Sequence, residues 1–177
     1  MHPTRQLLHL SLFVLFLLSG TTAVRAQQGA GYAVQANIIY HFTKYINWPG
    51  DKKSGDFVIG IVGDTPLYDE LKSFMANKTA GGQRIVVKKF PSSAKAFNCH
   101  ILFISEDGSG SFKKIAANTT GDAVLLVTEE DGLARKGSCI NFIVVDEHLR
   151  LEINKANIER HNLGIASELV QLGIPVK

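Results

Sequence analysis

The sequence is poor in cysteine and tryptophan, with two cysteines and one tryptophan among 177 residues. So few cysteines exclude a small disulfide-stapled scaffold. A chain of roughly 150 residues also buries enough surface to fold without staples or a structural metal. A hydrophobic share of 45% and a charged share of 20% exclude a disordered or fibrous protein. These proportions are typical of one globular domain.

Beyond residue 26 the chain has no long apolar run. Before it, an almost unbroken apolar stretch covers residues 7–18, and small residues follow up to Val24-Arg25-Ala26. This arrangement predicts a cleaved secretory signal over residues 1–26. Because the apolar run is shorter than the roughly 20 residues of a spanning helix, we expect an exported protein that does not itself span a membrane.

The sequence also lacks a strong charge of either sign. The formal net charge is +3, and removal of the signal segment takes away Arg5 and Arg25 but no acidic residue, which leaves +1. No basic run with interleaved aromatic residues is present. The sequence therefore gives no support for a nucleic-acid partner.

Apolar periodicity predicts alternating strands and helices. Short, continuous, β-branched apolar runs indicate buried strands, and apolar residues recurring every three to four positions indicate helices. The expected strands are 57–62, 84–90, 100–104 and 123–127, and the expected helices are 31–47, 67–77 and 111–117. This alternation predicts an α/β fold, a mostly parallel sheet with helices on both faces and right-handed crossovers.

The last third of the chain departs from the alternation. Residues 139–145 and 149–153 flank Asp146-Glu147-His148, which predicts a C-terminal antiparallel hairpin with a three-residue connection. A helical tail is expected at 155–161 and 166–172, broken around Gly164. Because no linker or repeat interrupts the pattern, we predict a single domain over residues 29–177.

Motifs for catalysis and cofactor binding are missing. The sequence has no Walker A loop, no G-x-G-x-x-G after a strand, no H-E-x-x-H and no G-x-S-x-G. Cys99 and His100 are adjacent, but successive residues of a strand point to opposite faces, so they cannot form a dyad. We predict a protein that is not an enzyme and holds no cofactor or metal.

Acidic residues follow several of the predicted strands. Because parallel strands end at one edge of a sheet, and open α/β folds bind ligands there, these carboxylates are candidate ligand residues. They are Asp64, Glu106, Asp107, Glu129, Glu130 and Asp131. An acidic edge favours a cation, an amine or a basic partner surface.

The two cysteines leave two alternatives open. Cys99 and Cys139 each precede a strand-like run. In an oxidising compartment they can form one disulfide between strand ends. They can equally be two buried thiols that act as small hydrophobic residues.

Six segments together resemble the YfiR family of bacterial periplasmic proteins. The strongest are Tyr40-x-Phe42-x-Lys44-Tyr45-x-x-Trp48-Pro49 and the segment that begins at Cys99. The others are 57–64, 140–142, 152–154 and 163–169. The resemblance implies a periplasmic, dimeric regulator that represses an inner-membrane diguanylate cyclase, lowering cyclic-di-GMP output and biofilm formation. It also implies a response to redox conditions through disulfides, and sensor kinases as alternative partners.

Two segments are apolar beyond what one buried face needs, which makes them candidate partner-binding surfaces. One contains Tyr40, Lys44, Tyr45 and Trp48, and the other contains Leu163, Ile165 and Leu169. We expect them to dock on the periplasmic sensing domain of a membrane protein. The alternative function is a periplasmic module that binds a small cationic or amine ligand at the acidic edge, without catalysis.

Overall fold

The computed structural model describes the backbone of residues 21–177 and the side chains from residue 31 onward. Residues 1–20, which contain most of the predicted signal segment, lie outside the described part of the chain. The signal segment and its cleavage therefore stay predictions.

Strands and helices alternate along most of the described chain. The helices are α1 (Thr21–Tyr45), α2 (Leu67–Met75), α3 (Phe112–Thr119), α4 (Leu133–Lys136), α5 (Lys155–Arg160) and α6 (Ser167–Leu172). The strands are β1 (Ile46–Asn47), β2 (Phe57–Val62), β3 (Thr79–Ala80), β4 (Gln83–Lys89), β5 (Ile101–Ile104), β6 (Leu125–Thr128), β7 (Ile140–Val145), β8 (His148–Ile153), β9 (Gly164–Ile165) and β10 (Ile174–Pro175). Two single turns of 3₁₀ helix cover Gly50–Lys52 and Ser109–Ser111.

Eight of the strands form one mixed sheet in the order β10-β8-β7-β6-β5-β2-β4-β3. Five neighbouring strands, β7, β6, β5, β2 and β4, are parallel, and β8 runs antiparallel to β7. This confirms the predicted α/β class, the mostly parallel sheet and the C-terminal hairpin. Helix α2 connects β2 to β4 in one direction along the strand order, and α3 connects β5 to β6 in the opposite direction. Right-handed crossovers then place α2 and α3 on opposite faces.

The core lies on both sides of the central strands. Every residue of β2, β5 and β6 is buried, which explains why these strands are continuously apolar rather than alternating. On the α1 face, the ring of Phe42 lies 6.3 Å from that of Phe142, which in turn lies 6.4 Å from Phe103. These rings join α1 to β5 and β7.

Helix α1 ends two residues earlier than predicted. Ile46 and Asn47 leave the helix and pair as β1 with Ile165 and Gly164 of β9. The N–H of Ala166 also donates to the carbonyl of Tyr45 at 2.8 Å. The predicted break around Gly164 is therefore a short strand, which ties the end of α1 to the C-terminal segment.

Two local details of the second half also differ from expectation. The acidic residues after β6 lead directly into an unpredicted helix, α4, a single turn flanked by Gly132 and Gly137 at positive φ. The predicted three-residue hairpin connection is a two-residue turn, because His148 pairs with Val145. Both turn residues, Asp146 and Glu147, have positive φ, as a type I′ turn requires.

Candidate functional site: two clefts and a helix end

The switch in strand order lies between β2 and β5, where doubly wound folds bind ligands. The loops that follow these two strands touch: a Cβ placed on Gly63, whose φ is +85°, would lie 2.5 Å from the amide nitrogen of Gly108. A cleft of about 290 Å³ opens beside this contact. We call it the switch cleft. Its polar lining includes Asp64, Lys89, Asp107 and Ser111.

The carboxylates of the switch cleft already have partners. Lys89 Nζ lies 3.2 Å from a carboxylate oxygen of Asp64. The backbone N–H of Asp64 donates to the Asp107 carboxylate at 3.0 Å. These contacts connect the loops after β2 and β5 to each other and to β4.

A second cleft, of about 450 Å³, lies between α1, the ends of β5 and β6, and the β7–β8 hairpin. We call it the hairpin cleft. Its lining residues are Tyr32, Gln35, Glu106, Glu129, Glu130, Asp131, Phe142, Ile143, Val144 and Leu149. Glu129 accepts from the backbone N–H of Glu106 at 3.2 Å and from Gln35 Nε2 at 3.5 Å. Burial outweighs these bonds and raises the pKa of Glu129 above its usual value.

The six predicted edge carboxylates therefore form two groups. Asp64 and Asp107 belong to the switch cleft. The other four, Glu106, Glu129, Glu130 and Asp131, line the hairpin cleft. Sequence spacing identifies the edge, but only the fold shows that loop packing separates the two groups.

The exposed side of α1 near its C-terminal end carries stacked aromatic and basic side chains. Lys44 Nζ lies 5.0 Å from the centre of the Tyr40 ring, and Lys78 Nζ lies 5.3 Å from it. Lys78 also lies 4.4 Å from the ring of Phe74 on α2. The rings of His41 and Tyr45 stack at 6.2 Å. We call this group the helix-end surface: Tyr40, His41, Lys44, Tyr45, Phe74 and Lys78.

Three of the predicted partner-binding residues are inside the molecule. Trp48, Leu163 and Leu169 are 7%, 4% and 3% exposed. Their apolar character is explained by intrachain packing, so in this structure they are not available to a partner. Ile165 is half-buried and pairs with Ile46. Among the predicted residues, Tyr40, Lys44 and Tyr45 keep exposed surface.

Cys99 and Cys139 are both free thiols, and both are buried. They precede β5 and β7, and β6 lies between these strands. Since neighbouring strands lie about 4.8 Å apart, the two backbones are separated by about 10 Å, whereas a disulfide needs Cα atoms within about 7 Å. Of the two alternatives that the sequence left open, the structure has the buried thiols.

His100 is the centre of an aromatic cluster that sequence reasoning missed. Its ring stacks on Phe57 at 4.3 Å and meets Trp48 edge-on at 6.1 Å. Its Nδ1 accepts from the N–H of Val58 at 3.0 Å, and its Nε2 lies 2.8 Å from the carbonyl of Lys52. Burial lowers the pKa of His100. The sequence shows Trp48 and Phe57 close to each other and His100 far along the chain. Nothing in it indicates that they meet, because their contact depends on long-range packing.

The polar residues of two segments that carry the family resemblance form a buried network. Asn141 Nδ2 donates to Glu152 at 3.1 Å, and Asn141 Oδ1 lies 2.6 Å from the hydroxyl of Thr128. Asn154 Nδ2 donates to the carbonyl of Ala134 at 3.0 Å. The network joins β6, β7, β8 and α4. These residues therefore hold the fold rather than contact a ligand.

Comparison with known proteins gives one family. The family model described as YfiR/HmsC-like matches residues 32–174, which is more than half of the chain. The match includes the helix-end surface, both clefts and the buried network. A search of curated proteins found no match.

Two further observations concern metals and membranes. Within residues 31–177, no three histidine, cysteine, aspartate or glutamate side chains are grouped so that they can hold a metal ion. No helix in the described part of the chain has both the length and the apolar character of a membrane span.

Proposed function

Since the chain belongs to the YfiR/HmsC-like family, we propose that it is a periplasmic regulatory protein. In this proposal it binds the periplasmic sensing domain of an inner-membrane diguanylate cyclase and represses it, which lowers cyclic-di-GMP output. The observation that supports the proposal is the family match over residues 32–174. The fold adds a surface suited to protein binding.

That surface is the helix-end surface. It combines aromatic rings with the ammonium groups of Lys44 and Lys78, each held over a ring. Partly exposed aromatic residues are common anchors of protein interfaces, and positive charge selects an acidic partner. The pairing of Ile46 with Ile165 fixes the helix end against the C-terminal segment, so the surface is presented by a rigid support. We therefore place the partner contact here.

The experiment compares two charge reversals in a bacterium that carries the gene and its cyclase. Lys44→Glu reverses a charge on the helix-end surface. Lys114→Glu makes the same change at exposed Lys114 of α3, on the opposite face of the sheet. We expect deletion of the gene to raise cyclic-di-GMP, and we expect the wild type and Lys114→Glu, but not Lys44→Glu, to restore the low level.

Binding is measured in parallel by retention of the purified periplasmic domain of the cyclase on immobilised protein. We expect Lys44→Glu to weaken retention at least tenfold, because a like charge replaces a complementary one. If deletion leaves cyclic-di-GMP unchanged, the regulatory proposal fails. If both variants repress normally, the function stands but the helix-end surface is not the contact.

The dimeric state implied by the family resemblance is a separate proposal. Light scattering of the purified protein across a hundredfold range of concentration tests it. A mass of two chains throughout the range supports a dimer, and a mass of one chain throughout contradicts it.

A further inference from the structure

The hairpin cleft has carboxylates on one wall and apolar groups on the other. Its lining includes four carboxylates and, among the described residues, no lysine, arginine or histidine. None of the four is in an ion pair with another described side chain. The cleft therefore carries negative charge with no cationic side chain among its lining residues to balance it.

Gln35 supplies the second observation. Its side chain lines the cleft, the residue is only 8% exposed, and its Nε2 donates to Glu129. This orientation leaves Oε1 buried with no hydrogen-bond partner among the described residues. An unpaired buried acceptor is unfavourable, and a rotation of the Gln35 amide toward the cleft would let a donor beside Glu129 satisfy it.

The opposite wall is apolar and open. It is formed by Phe142, Ile143, Val144 and Leu149 of the hairpin. Val144 is 72% exposed, so it presents apolar surface to solvent beside the cleft. A ligand that covers this wall while its charged end meets the carboxylates would remove apolar surface from water.

These observations favour an organic cation over a metal ion. Within residues 31–177 the acidic side chains are not grouped closely enough to chelate a metal, and an aquated metal ion would gain nothing from the apolar wall. A primary ammonium group donates three hydrogen bonds, which suits Gln35 Oε1 and the neighbouring carboxylates.

We propose that the hairpin cleft binds a primary amine with an apolar body, its ammonium group between Gln35 and Glu129 and its body against Val144 and Leu149. This inference does not rest on the proposed regulatory function. It needs neither a cyclase nor a second chain.

The test is calorimetric titration of the protein, as purified from expressing cells, with 2-phenylethylamine. The neutral isostere 2-phenylethanol is the control ligand. We expect the amine to bind and the alcohol not to bind. We also expect the affinity of the amine to fall severalfold between pH 7.5 and pH 5, because burial raises the pKa of Glu129 and protonation of this residue removes charge that holds the amine.

Three variants locate the site. Glu129→Gln keeps an acceptor for the Glu106 N–H but removes the charge. Val144→Lys places a competing ammonium group at a position that is 72% exposed. Each is expected to weaken amine binding at least tenfold. Asp64→Asn, the matched control, removes one charge in the switch cleft and is expected to leave the affinity unchanged.

Several outcomes overturn the proposal. Absence of heat at millimolar amine does so, as does equal binding of the alcohol. Unchanged affinity in folded Val144→Lys removes the hairpin cleft as the site. A response to Mg²⁺ that exceeds the response to the amine identifies a metal site instead.

Discussion

At the scale of single residues, the two cysteines are chemically protected. Burial raises the pKa of Cys99 and of Cys139 to about 12. Because the thiolate is the reactive form, both thiols are almost fully protonated at neutral pH. Their strands are also separated by β6, so they cannot bond to each other without a change of fold.

We expect neither thiol to react with Ellman's reagent in the native protein at pH 8, and both to react in concentrated guanidinium. The measured count should be two thiols per denatured chain, with or without prior reduction. If the denatured chain has no reactive thiol before reduction and two after it, the native protein contains a disulfide. In the absence of that bond, reduction should not alter partner binding.

His161 is a second buried titratable residue, only 3% exposed. Burial lowers its pKa, although a hydrogen bond to the backbone of Thr119 and the charge of Asp122 oppose the shift. Since the unfolded chain binds a proton more readily than the folded one, stability is lost as the pH falls below about 6.5. His100 has the same sign.

We therefore expect the free energy of unfolding to fall between pH 7.5 and 5.5, because protons bind the unfolded chain more tightly at both histidines. Urea denaturation at several pH values measures this. His161→Gln should lower the slope of stability against pH relative to the wild type. An identical slope in His161→Gln would contradict the assignment.

At the scale of elements, the accuracy of the sequence prediction depended on element length. Strands β2, β5 and β6 were predictable because each is a continuous apolar run covered on both faces. Strands β1 and β9 were not, because two residues carry no periodicity and their pairing depends on a partner distant in sequence. The one-turn α4 was missed for a similar reason, since four residues between glycines read as a loop.

The hairpin turn gives a prediction at this scale. Asp146 and Glu147 adopt φ values of 50° and 62°, although Asn-Gly is the preferred pair for such a turn. Replacing both residues with Asn-Gly should stabilise the protein by about 1 kcal/mol, because the left-handed conformation costs an ordinary residue about that much. Thermal unfolding of the double variant tests this.

The matched control for the hairpin is Glu168→Gly in helix α6, where backbone conformation is right-handed. Glycine in a helix costs about 1 kcal/mol relative to alanine, so this variant should melt at a lower temperature than the wild type. If the Asn-Gly variant of the turn also melts at a lower temperature than the wild type, glycine does not relieve strain at the turn.

At the scale of the whole molecule, the fold class followed from the alternation of elements, but the division of the acidic edge did not. The six edge carboxylates were predictable from their positions after strands. Their separation depends on the close approach of Gly63 to Gly108 and on the position of α1. The burial of Trp48, Leu163 and Leu169 was also not predictable from the sequence, because periodicity cannot distinguish an exposed apolar face from a second buried one.

Strand β10 forms one edge of the sheet. β10 pairs with β8 at Glu152 and Ile153, and Val176, only 6% exposed, donates its N–H to the carbonyl of Ile153. Deletion of residues 174–177 should lower the free energy of unfolding by about 3 kcal/mol, comparable to loss of a buried aliphatic side chain, and should expose a strand edge. Urea denaturation and light scattering check stability and aggregation. Lys177→Ala, as control, should behave as the wild type.

The pairing of Ile46 with Ile165 sets the order in which a newly made chain can become native. The end of α1 is held in place only when β9 pairs with β1, and the β8 edge of the sheet is covered only when β10 pairs with it. Long-range pairings of this kind form late, because loop closure must come first. The helix end and this edge of the sheet therefore reach their native arrangement only after residues 164–175 have paired with partners that are distant in sequence.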